Sequence, residues 1–252
     1  MVDILYEVSE GVGLITFNRP DVRNSMKLDM YARVAEICRE PGDAKVLILR
    51  GAGDRAFAAG TDMTEFRGFS EPQDALNYEA NMDDVLGDVE RCPLPTIAAI
   101  QGACTGGGAA IAAACDIRIC DERLKFGFPI ARTLGNCLSI GNLNRIGTLI
   151  GMGRLREIVF TARLIGSEEA ERIGLVAEIC PDPHARAFEL AETLKGHAPL
   201  TLQATKEALR RLRVDGPGAE DGDLITRSYM SRDFRHGMEA FLAKRAPEWS
   251  GE

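Results

Sequence analysis

The sequence contains little that could hold a metal ion or a disulfide framework. It has only three histidines, which lie apart in polar C-terminal segments at His184, His197 and His236. Its seven cysteines are an odd number without a CxxC pair, and we interpret Cys115 and Cys120, around a predicted strand, as core residues. We therefore expect no metal site, and we expect reduced thiols in a cytoplasmic protein.

Long apolar runs and an excess of positive charge are also missing. The longest apolar stretches are short and interrupted by glycine, so none predicts a membrane span. The formal net charge of −8 argues against binding to nucleic acid. Met1–Ser9 lacks a basic segment followed by an apolar one, so we expect no secretory signal. With 45% apolar residues, the 252-residue chain can bury a full core.

Short apolar strands alternate with helical patterns, which predicts an α/β fold built from βαβ-like units. Apolar residues at helical spacing predict a helix over Met26–Arg39, and a longer helical pattern runs over residues 73–90. Ser167 is predicted to cap another helix. The other predicted elements are strands at Ile4–Val8, Val12–Phe17, Val46–Leu49, Thr96–Ile100, Ile117–Cys120, Lys125–Pro129 and Val176–Cys180, and helices at Ser139–Leu149, Arg154–Thr161 and beyond Pro183.

Three consecutive glycines follow the strand Thr96–Ile100. Gly106–Gly108 would let the backbone turn tightly and approach a ligand before a helix that is predicted to begin near Ala109. The first N–H groups of that helix lack intrahelical acceptors, so they could donate to a developing negative charge. Alternatively, the glycines only allow the helix to pack closely on a strand. From this segment alone, both interpretations stay open.

A second turn of small residues follows another strand. Ala56–Met63 (AFAAGTDM) places Ala-Ala-Gly after Val46–Leu49, and two backbone N–H groups from separate loops are what polarising a thioester carbonyl requires. Here the sequence resembles the crotonase (enoyl-CoA hydratase/isomerase) superfamily over almost its whole length. Four motifs in the expected order carry the resemblance: Gly13–Pro20 (GLITFNRP), Phe57–Asp62, Gly102–Asp116 and Gly237–Trp249 (GMEAFLAKRAPEW).

The resemblance implies a crotonase-like spiral of ββα units with a C-terminal helical subdomain. Residues 1–195 would form the spiral core that carries the oxyanion-hole loops, and residues 196–252 a helical region for trimerisation or for covering the site. A homotrimer or hexamer is implied. No cofactor is implied beyond the coenzyme A that forms part of the substrate.

The resemblance assigns an oxyanion hole to the backbone N–H groups of Thr61 and Gly107. They would bind the thioester oxygen when an acyl-CoA becomes an enolate. Asp62, in the same motif, is interpreted as a local cap rather than a base. The implied contacts to coenzyme A are Arg23, the backbone of Ala58 and Ala59 beside the adenine, Phe241 and Lys244. Without the resemblance, Lys244 and Arg245 would simply be cations at the end of a helix that stabilise its dipole.

The positions that match the two glutamates of the family's hydratases lack a carboxylate. The first lies three residues after Gly107 and is Ala110, and the second follows a strand-end proline and is Ile130. Shifting the second position by one residue gives Ala131. Some isomerases and dehalogenases of the superfamily place an acid farther along, at the position of Ser139. None of these side chains can act as a general base near neutral pH, so the two-glutamate hydratase mechanism is in doubt.

A few other polar residues near the predicted site are candidates for an auxiliary role. Arg132 could hold an acyl carboxylate or polarise a leaving group, and Cys137 or Ser139 could meet the acyl chain. Alternatively, Ser139 forms a cap and Cys137 is a small apolar filler. Glu65 is the carboxylate nearest to the Thr61 loop, and a surface position is the alternative.

These observations predict an acyl-CoA-handling enzyme of the enoyl-CoA hydratase/isomerase type that stabilises a thioester enolate. One alternative is another reaction on the same fold, such as decarboxylation, C–C hydrolysis or another lyase reaction of an acyl-CoA. A second alternative is a catalytically silent acyl-CoA-binding protein. A Rossmann dinucleotide site is disfavoured because Gly106–Gly108 lacks the GxGxxG spacing.

Overall fold

The computed structural model describes residues 2–252, over which strands and helices alternate. The strands are β1 (Ile4–Ser9), β2 (Val12–Phe17), β3 (Val46–Gly51), β4 (Ala56–Ala58), β5 (Thr96–Ile100), β6 (Ala103–Thr105), β7 (Ile117–Cys120), β8 (Lys125–Gly127) and β9 (Glu178–Ile179). The α-helices are α1 (Leu28–Arg39), α2 (Pro72–Arg91), α3 (Gly107–Ala114), α4 (Ile130–Thr133), α5 (Ile140–Ile150), α6 (Met152–Thr161), α7 (Ser167–Arg172), α8 (Pro183–Lys195), α9 (Pro199–Asp215), α10 (Gly222–Tyr229) and α11 (Arg232–Leu242).

The strands form two sheets. The larger sheet has the order β1-β2-β3-β5-β7-β9, in which β1 is antiparallel to β2 and the other pairs are parallel. The smaller sheet is parallel and has the order β4-β6-β8. The strands therefore come in three consecutive pairs, which are β3 with β4, β5 with β6 and β7 with β8. In each pair, the first strand belongs to the larger sheet and the second to the smaller one, and a helix follows. This repeat confirms the α/β fold with a spiral of ββα units.

The central strands of the larger sheet are buried on both faces. In β3, Val46 and Ile48 pack with residues of α8, whereas Leu47 and Leu49 belong to the larger core on the other face. A strand that is covered on both faces has a continuous apolar sequence rather than an alternating one. The apolar run in the sequence therefore predicted this strand correctly.

Two short strands and one short helix were not predicted. β4 and β6 have three residues each and α4 has four, too few for a period to be visible in the sequence. The helix that was predicted to begin near Ala109 begins at Gly107. The prediction that Ser167 is an N-cap was wrong, because the cap is Gly166 and the Ser167 hydroxyl donates to the Glu122 carbonyl at 3.1 Å.

The C-terminal region is helical, as predicted, and it folds back on itself. Helix α9 packs on α2 and α5. The Asp233 carboxylate accepts hydrogen bonds from the N–H groups of Ser250 and Gly251 at 2.7 and 2.9 Å. The Trp249 indole donates to the Gly196 carbonyl at 3.0 Å. The division at residues 195 and 196, and a role of this region in assembly, stay predictions.

Six cysteines are buried in the structure, including Cys115 and Cys120, so their interpretation as core residues is confirmed. Cys137 is the exposed one among the cysteines. Over residues 2–252, no three histidine, cysteine or acidic side chains are grouped in a way that could hold a metal ion. None of the helices described above is both long and apolar enough to cross a membrane.

Asn24 joins its own segment to the turn between β3 and β4. It is fully buried and adopts a φ of 55°. Its amide nitrogen donates to the carbonyls of Ala52 and Ala56 at 3.0 and 2.8 Å, and its amide oxygen accepts from the Arg19 N–H at 3.0 Å. Asparagine tolerates this left-handed conformation better than most residues.

We expect Asn24→Ala to lower the free energy of unfolding by about 2–4 kcal/mol, because buried backbone groups lose their partners and alanine disfavours the left-handed backbone. Urea unfolding measures this change. Asn18→Ala is the matched control, since it removes one exposed hydrogen bond, to the Val2 carbonyl, and should change the stability by less than about 0.5 kcal/mol. Equal effects of the two variants would contradict the expectation.

Candidate active site

The turn after β4 and the turn after β6 lie side by side. These strands are parallel neighbours with Ala58 opposite Cys104, and Thr61 and Gly107 each lie three residues beyond those positions. The carboxyl ends of neighbouring parallel strands meet at one edge of a sheet, so the two turns meet as well. A Cβ atom on Gly107 would lie 3.3 Å from Thr61 Oγ1.

Met26 fixes the backbone on both sides of Thr61. The Met26 N–H donates to the Gly60 carbonyl at 2.8 Å, and the Asp62 N–H donates to the Met26 carbonyl at 2.8 Å. This parallel bridge uses the groups that flank Thr61, so the N–H of Thr61 itself faces away from Met26. Over residues 2–252, that N–H has no hydrogen-bond acceptor.

The second N–H belongs to Gly107, the first residue of α3. It has no intrahelical acceptor because of its position, and none elsewhere in the described chain. Glycine is required here, since a Cβ atom on Gly107 would lie 1.8 Å from the Tyr31 hydroxyl oxygen. A Cβ atom on Gly108 would lie 2.3 Å from the Ala58 carbonyl oxygen. Gly108 therefore serves close helix–strand packing, whereas Gly107 presents an unpaired donor.

Helix α3 is fastened at its other end by Arg118. This buried guanidinium donates to the carbonyl oxygens of Ala112 and Cys115 at the end of the helix and to that of Leu175. A cation at the C-terminus satisfies terminal carbonyls and complements the negative end of the helix dipole. The positive N-terminal end is left free at Gly107.

Both turns line one cavity of about 350 Å³. Part of its wall is apolar and comes from α2, from the β8–α4 segment and from the chain that leads into α5. The lining side chains include Met63, Phe66, Tyr78, Glu79, Met82, Ala110, Phe128, Ile130, Leu134, Asn136, Cys137, Leu138 and Asn142. A ligand group that accepts hydrogen bonds from Thr61 and Gly107 would therefore extend along a largely apolar wall.

Three hydroxyl groups form a chain at Thr61. Its Oγ1 lies 2.9 Å from the Tyr31 oxygen and 2.8 Å from the Tyr78 oxygen. Tyr31 is fully buried, whereas Tyr78 is half-buried and lines the cavity. Burial raises the pKa of both phenols, so each keeps its proton near neutral pH. The chain fixes the Thr61 side chain and holds Tyr31 against Gly107.

Asp62 is a cap, as predicted. Its carboxylate accepts from the N–H and the hydroxyl of Thr64 at 3.1 and 2.7 Å and pairs with Arg19 at 2.8 Å. These hydrogen bonds lower the pKa of Asp62 to about 2. The carboxylate is therefore held as a charged structural group next to Thr61 rather than as a base.

Comparisons with known proteins agree with this geometry. The model of one family, described as enoyl-CoA hydratase/isomerase, matches residues 7–252. The chain belongs to the enoyl-CoA hydratase/isomerase family, within the crotonase superfamily.

This family member is similar to the short-chain-enoyl-CoA hydratase of Clostridium acetobutylicum, with 31% identity over 98% of this chain and 97% of that protein. It is 33% identical to the (E)-benzylidenesuccinyl-CoA hydratase of Thauera aromatica, over 98% and 99% of the two chains. The structure of an enoyl-CoA hydratase/carnithine racemase from Magnetospirillum magneticum superimposes with a TM-score of 0.91, 33% identity and coverage of 100% and 97%. For an enoyl-CoA hydratase from Bacillus anthracis, the TM-score is 0.87, with 32% identity and full coverage of both chains.

The two positions that the sequence resemblance matches to the glutamates of crotonase-superfamily hydratases both line the cavity. Ala110 lies on α3, one turn beyond Gly107, and Ile130 is the first residue of α4. Both side chains are buried. Ala131, which a shifted alignment would select, is exposed. The matched positions therefore place methyl and alkyl groups, and no titratable group, against the cavity.

The structure separates the four auxiliary candidates. Cys137 is exposed and lines the cavity. Ser139 caps α5, as the structural alternative predicted, because its oxygen accepts from the Asn142 N–H at 3.1 Å. Arg132 is exposed and Glu65 is half-buried, and neither lines the cavity in the described chain.

The predicted contacts to coenzyme A fall into two groups. Ala59 lines the cavity, and its N–H donates at 3.0 Å to the carbonyl of Arg23, an exposed residue. Ala58 is buried directly before it. Phe241 and Lys244 are exposed at the end of α11, and Phe241 lines a separate apolar cavity of about 800 Å³ among the C-terminal helices. Neither Phe241 nor Lys244 lines the cavity that Ala59 lines in the described chain.

Proposed function

We propose that this protein binds an acyl-CoA thioester and stabilises its enolate through the N–H groups of Thr61 and Gly107. The observation that carries the proposal is that two unpaired backbone donors, from adjacent parallel strand ends, line one cavity of about 350 Å³. Fixed donors of this kind stabilise most strongly the negative charge that develops in a transition state. Loss of one such donor typically raises the activation free energy by about 3–4 kcal/mol. The relatives named above as hydratases of enoyl-CoA and benzylidenesuccinyl-CoA support a thioester substrate.

The surroundings of the two donors favour an anion. The N-terminus of α3 contributes the positive end of its dipole at Gly107. Apolar side chains such as Met63, Phe66 and Phe128 line the same cavity, and a low local dielectric strengthens hydrogen bonds to a charged oxygen. Both features stabilise an enolate more than the neutral thioester from which it forms.

The reaction that follows enolate formation is left open by Ala110 and Ile130. Without the two glutamates, hydration of an enoyl-CoA by the two-carboxylate route is not the expected main activity. Isomerisation, decarboxylation, C–C hydrolysis or another lyase reaction can use the same oxyanion hole. Turnover of any acyl-CoA would exclude the alternative of a catalytically silent binding protein.

Assembly and coenzyme A binding belong to the same proposal. Arg23, Ala58 and Ala59 would contact coenzyme A bound by their own chain, and Phe241 and Lys244 would reach the ligand of a neighbouring subunit. Phe241 is 84% exposed in the single chain, which favours a partner surface. We therefore propose a cytoplasmic homotrimer or hexamer that needs no cofactor other than the coenzyme A of its substrate.

The decisive experiment compares butyryl-CoA with its thioether analogue, S-butyl-CoA, which lacks the carbonyl oxygen. Two hydrogen bonds to that oxygen should make butyryl-CoA bind about 5- to 150-fold more tightly, from about 0.5–1.5 kcal/mol for each bond. Infrared spectra of butyryl-CoA with a ¹³C-labelled carbonyl should show the carbonyl band moving to lower frequency on binding. Calorimetric titration measures the affinities.

A glycine variant far from the proposed oxyanion hole supplies the control for this experiment. Gly153 lies in α6, and no atom lies within 4 Å of a Cβ placed there, so Gly153→Ala should keep both the affinity difference and the band shift. Equal affinities for the thioester and the thioether, together with an unshifted carbonyl band, would refute the oxyanion assignment.

A further inference from the structure

Ala110 on α3 and Ile130 on α4 bring no carboxylate to the cavity, but helix α2 does. Tyr78, Glu79 and Met82 line the cavity from one side of this helix, at a spacing of three to four residues. Glu79 is half-buried. Among the cavity-lining residues of the described chain, Glu79 is the only one with an acidic, basic or imidazole side chain.

The carboxylate of Glu79 is held in a defined electrostatic setting. Asp83 lies one helical turn farther along α2, and its Oδ1 accepts a hydrogen bond from the Ser139 hydroxyl at 2.8 Å. Burial, followed by the charge of Asp83, raises the pKa of Glu79, and the backbone N–H of Ser139 opposes that rise. Tyr78 and the Asn142 amide, which also line the cavity, are neutral. Glu79 is therefore easier to protonate than an exposed glutamate.

A second observation indicates that this end of the cavity receives a hydrogen-bond donor. Asn142 on α5 is only 6% exposed and lines the cavity, yet its Oδ1 has no hydrogen-bond partner within residues 2–252. A buried acceptor without a partner costs stability, so such an atom in a binding cavity points to a ligand, water or carboxylic acid O–H that completes it. The region around Glu79 is thus a partly buried polar subsite rather than a solvated helix face.

We propose that Glu79 is the catalytic carboxylate of this site, a role that rests on the oxyanion hole proposed above. An oxygen of Glu79 takes a proton from the α-carbon of the acyl group. The electrons of the broken C–H bond form the enolate, whose charge falls on the thioester oxygen held by Thr61 and Gly107. The neutral acid then returns its proton to the acyl group. Asp83 and Ser139 act as positioning residues, since they modulate the basicity of the Glu79 carboxylate without touching the substrate.

Exchange of α-protons for deuterium in D₂O tests this step without knowledge of the natural substrate. The probes are acetyl-CoA, butyryl-CoA, octanoyl-CoA and phenylacetyl-CoA, followed by NMR. Glu79→Gln keeps the shape of the side chain but removes the base, and we expect exchange at least about 100-fold slower than in the unaltered protein. Glu79→Asp should retain part of the rate. Asp84→Asn, an exposed acid on the same helix, should stay within twofold of the unaltered protein.

The infrared band of bound butyryl-CoA separates failure of this assignment from failure of the oxyanion hole. A shifted band in both the unaltered protein and Glu79→Gln, with exchange lost only in the variant, supports the assignment. Exchange in Glu79→Gln within twofold of the unaltered protein overturns the role of Glu79 and leaves the oxyanion hole intact. A shifted band with no exchange for any probe in the unaltered protein also overturns the role of Glu79 and leaves the oxyanion hole intact. An unshifted band overturns the oxyanion hole and the role of Glu79 together.

The pH dependence of exchange tests the positioning role of Asp83. The base acts as the carboxylate, so the rate falls as the pH drops through the pKa of Glu79, which lies above the ordinary value for a glutamate. Asp83→Asn removes a like charge, so the acid limb of the profile should move to lower pH. An unmoved limb would refute the electrostatic contribution of Asp83, and a merely structural loss would lower the rate at all pH values alike.

Discussion

Crotonyl-CoA is expected to be hydrated by this protein at least about 10³-fold more slowly than by an enoyl-CoA hydratase with two glutamates. The cause lies at Ala110 and Ile130, whose buried side chains line the cavity but can neither accept nor donate a proton. One general acid or base typically contributes about 10²–10⁴ to a rate. Glu79 supplies a single carboxylate from a different wall of the cavity, so it can replace at most one of the two.

The measurement follows the loss of ultraviolet absorbance of the conjugated enoyl thioester. A two-glutamate hydratase in the same assay is the positive control, and calorimetry with crotonyl-CoA shows whether the substrate binds. If crotonyl-CoA binds but is hydrated slowly, the low rate is due to proton transfer and not to weak binding. Turnover in the ordinary range of about 1–10³ s⁻¹ would contradict the expectation, and it would require a proton-transfer route independent of Ala110 and Ile130.

The parts of the fold that the sequence predicted are those with strong local patterns. β3 and β5 are buried on both faces and contain the apolar runs Val46–Leu49 and Ile97–Ile100, and α2 carries a long helical pattern. Two of the three strands of the smaller sheet, β4 and β6, escaped prediction because they have three residues each. Yet the pairing of those two short strands is what aligns Thr61 with Gly107. The register between the two turns is a tertiary property that neither segment encodes by itself.

The two turns could be found from the sequence because glycine and alanine mark both of them, and the family resemblance then selected Thr61 and Gly107 as the oxyanion candidates. The side chains around them could not, because packing brings them from distant segments. Tyr31 and Tyr78 reach Thr61 across 30 and 17 residues. In the sequence, Tyr31 fits the apolar face of a helix. Glu79 belongs to a polar helical pattern that favours a solvated position, and only the structure shows that its face of α2 closes a cavity.

The polar residues between β8 and α5 show the same limit. Ser139 was a candidate for contact with the acyl chain, and the structure places it as the cap of α5 and the partner of Asp83. The sequence contained one usable signal, a serine three residues before Asn142, at the spacing of an N-cap to the N–H that it accepts. No pattern in the sequence could have predicted that the amide oxygen of Asn142 lacks a hydrogen-bond partner within residues 2–252.

Gly107→Ala is expected to slow α-proton exchange by about 10²–10³-fold, the typical cost of losing one oxyanion donor. The added Cβ would lie 1.8 Å from the Tyr31 oxygen, and no such contact can persist. Tyr31 cannot yield, because it is fully buried and shares a hydrogen bond with Thr61, which shares another with Tyr78. The start of α3 must shift instead, and the Gly107 N–H moves with it.

A double-variant cycle shows whether this clash is the cause. Tyr31→Phe removes the oxygen at 1.8 Å and leaves the ring carbon Cζ at 2.9 Å from the added Cβ, so the repulsion falls but does not vanish. Exchange in Gly107→Ala with Tyr31→Phe should therefore exceed exchange in Gly107→Ala alone, whereas independent effects would multiply. Gly153→Ala controls for a methyl group added to a helix. Multiplicative losses would mean that the clash with Tyr31 is not the cause of the deficit. Exchange in Gly107→Ala within threefold of the unaltered protein would mean that the position of this amide does not limit the reaction.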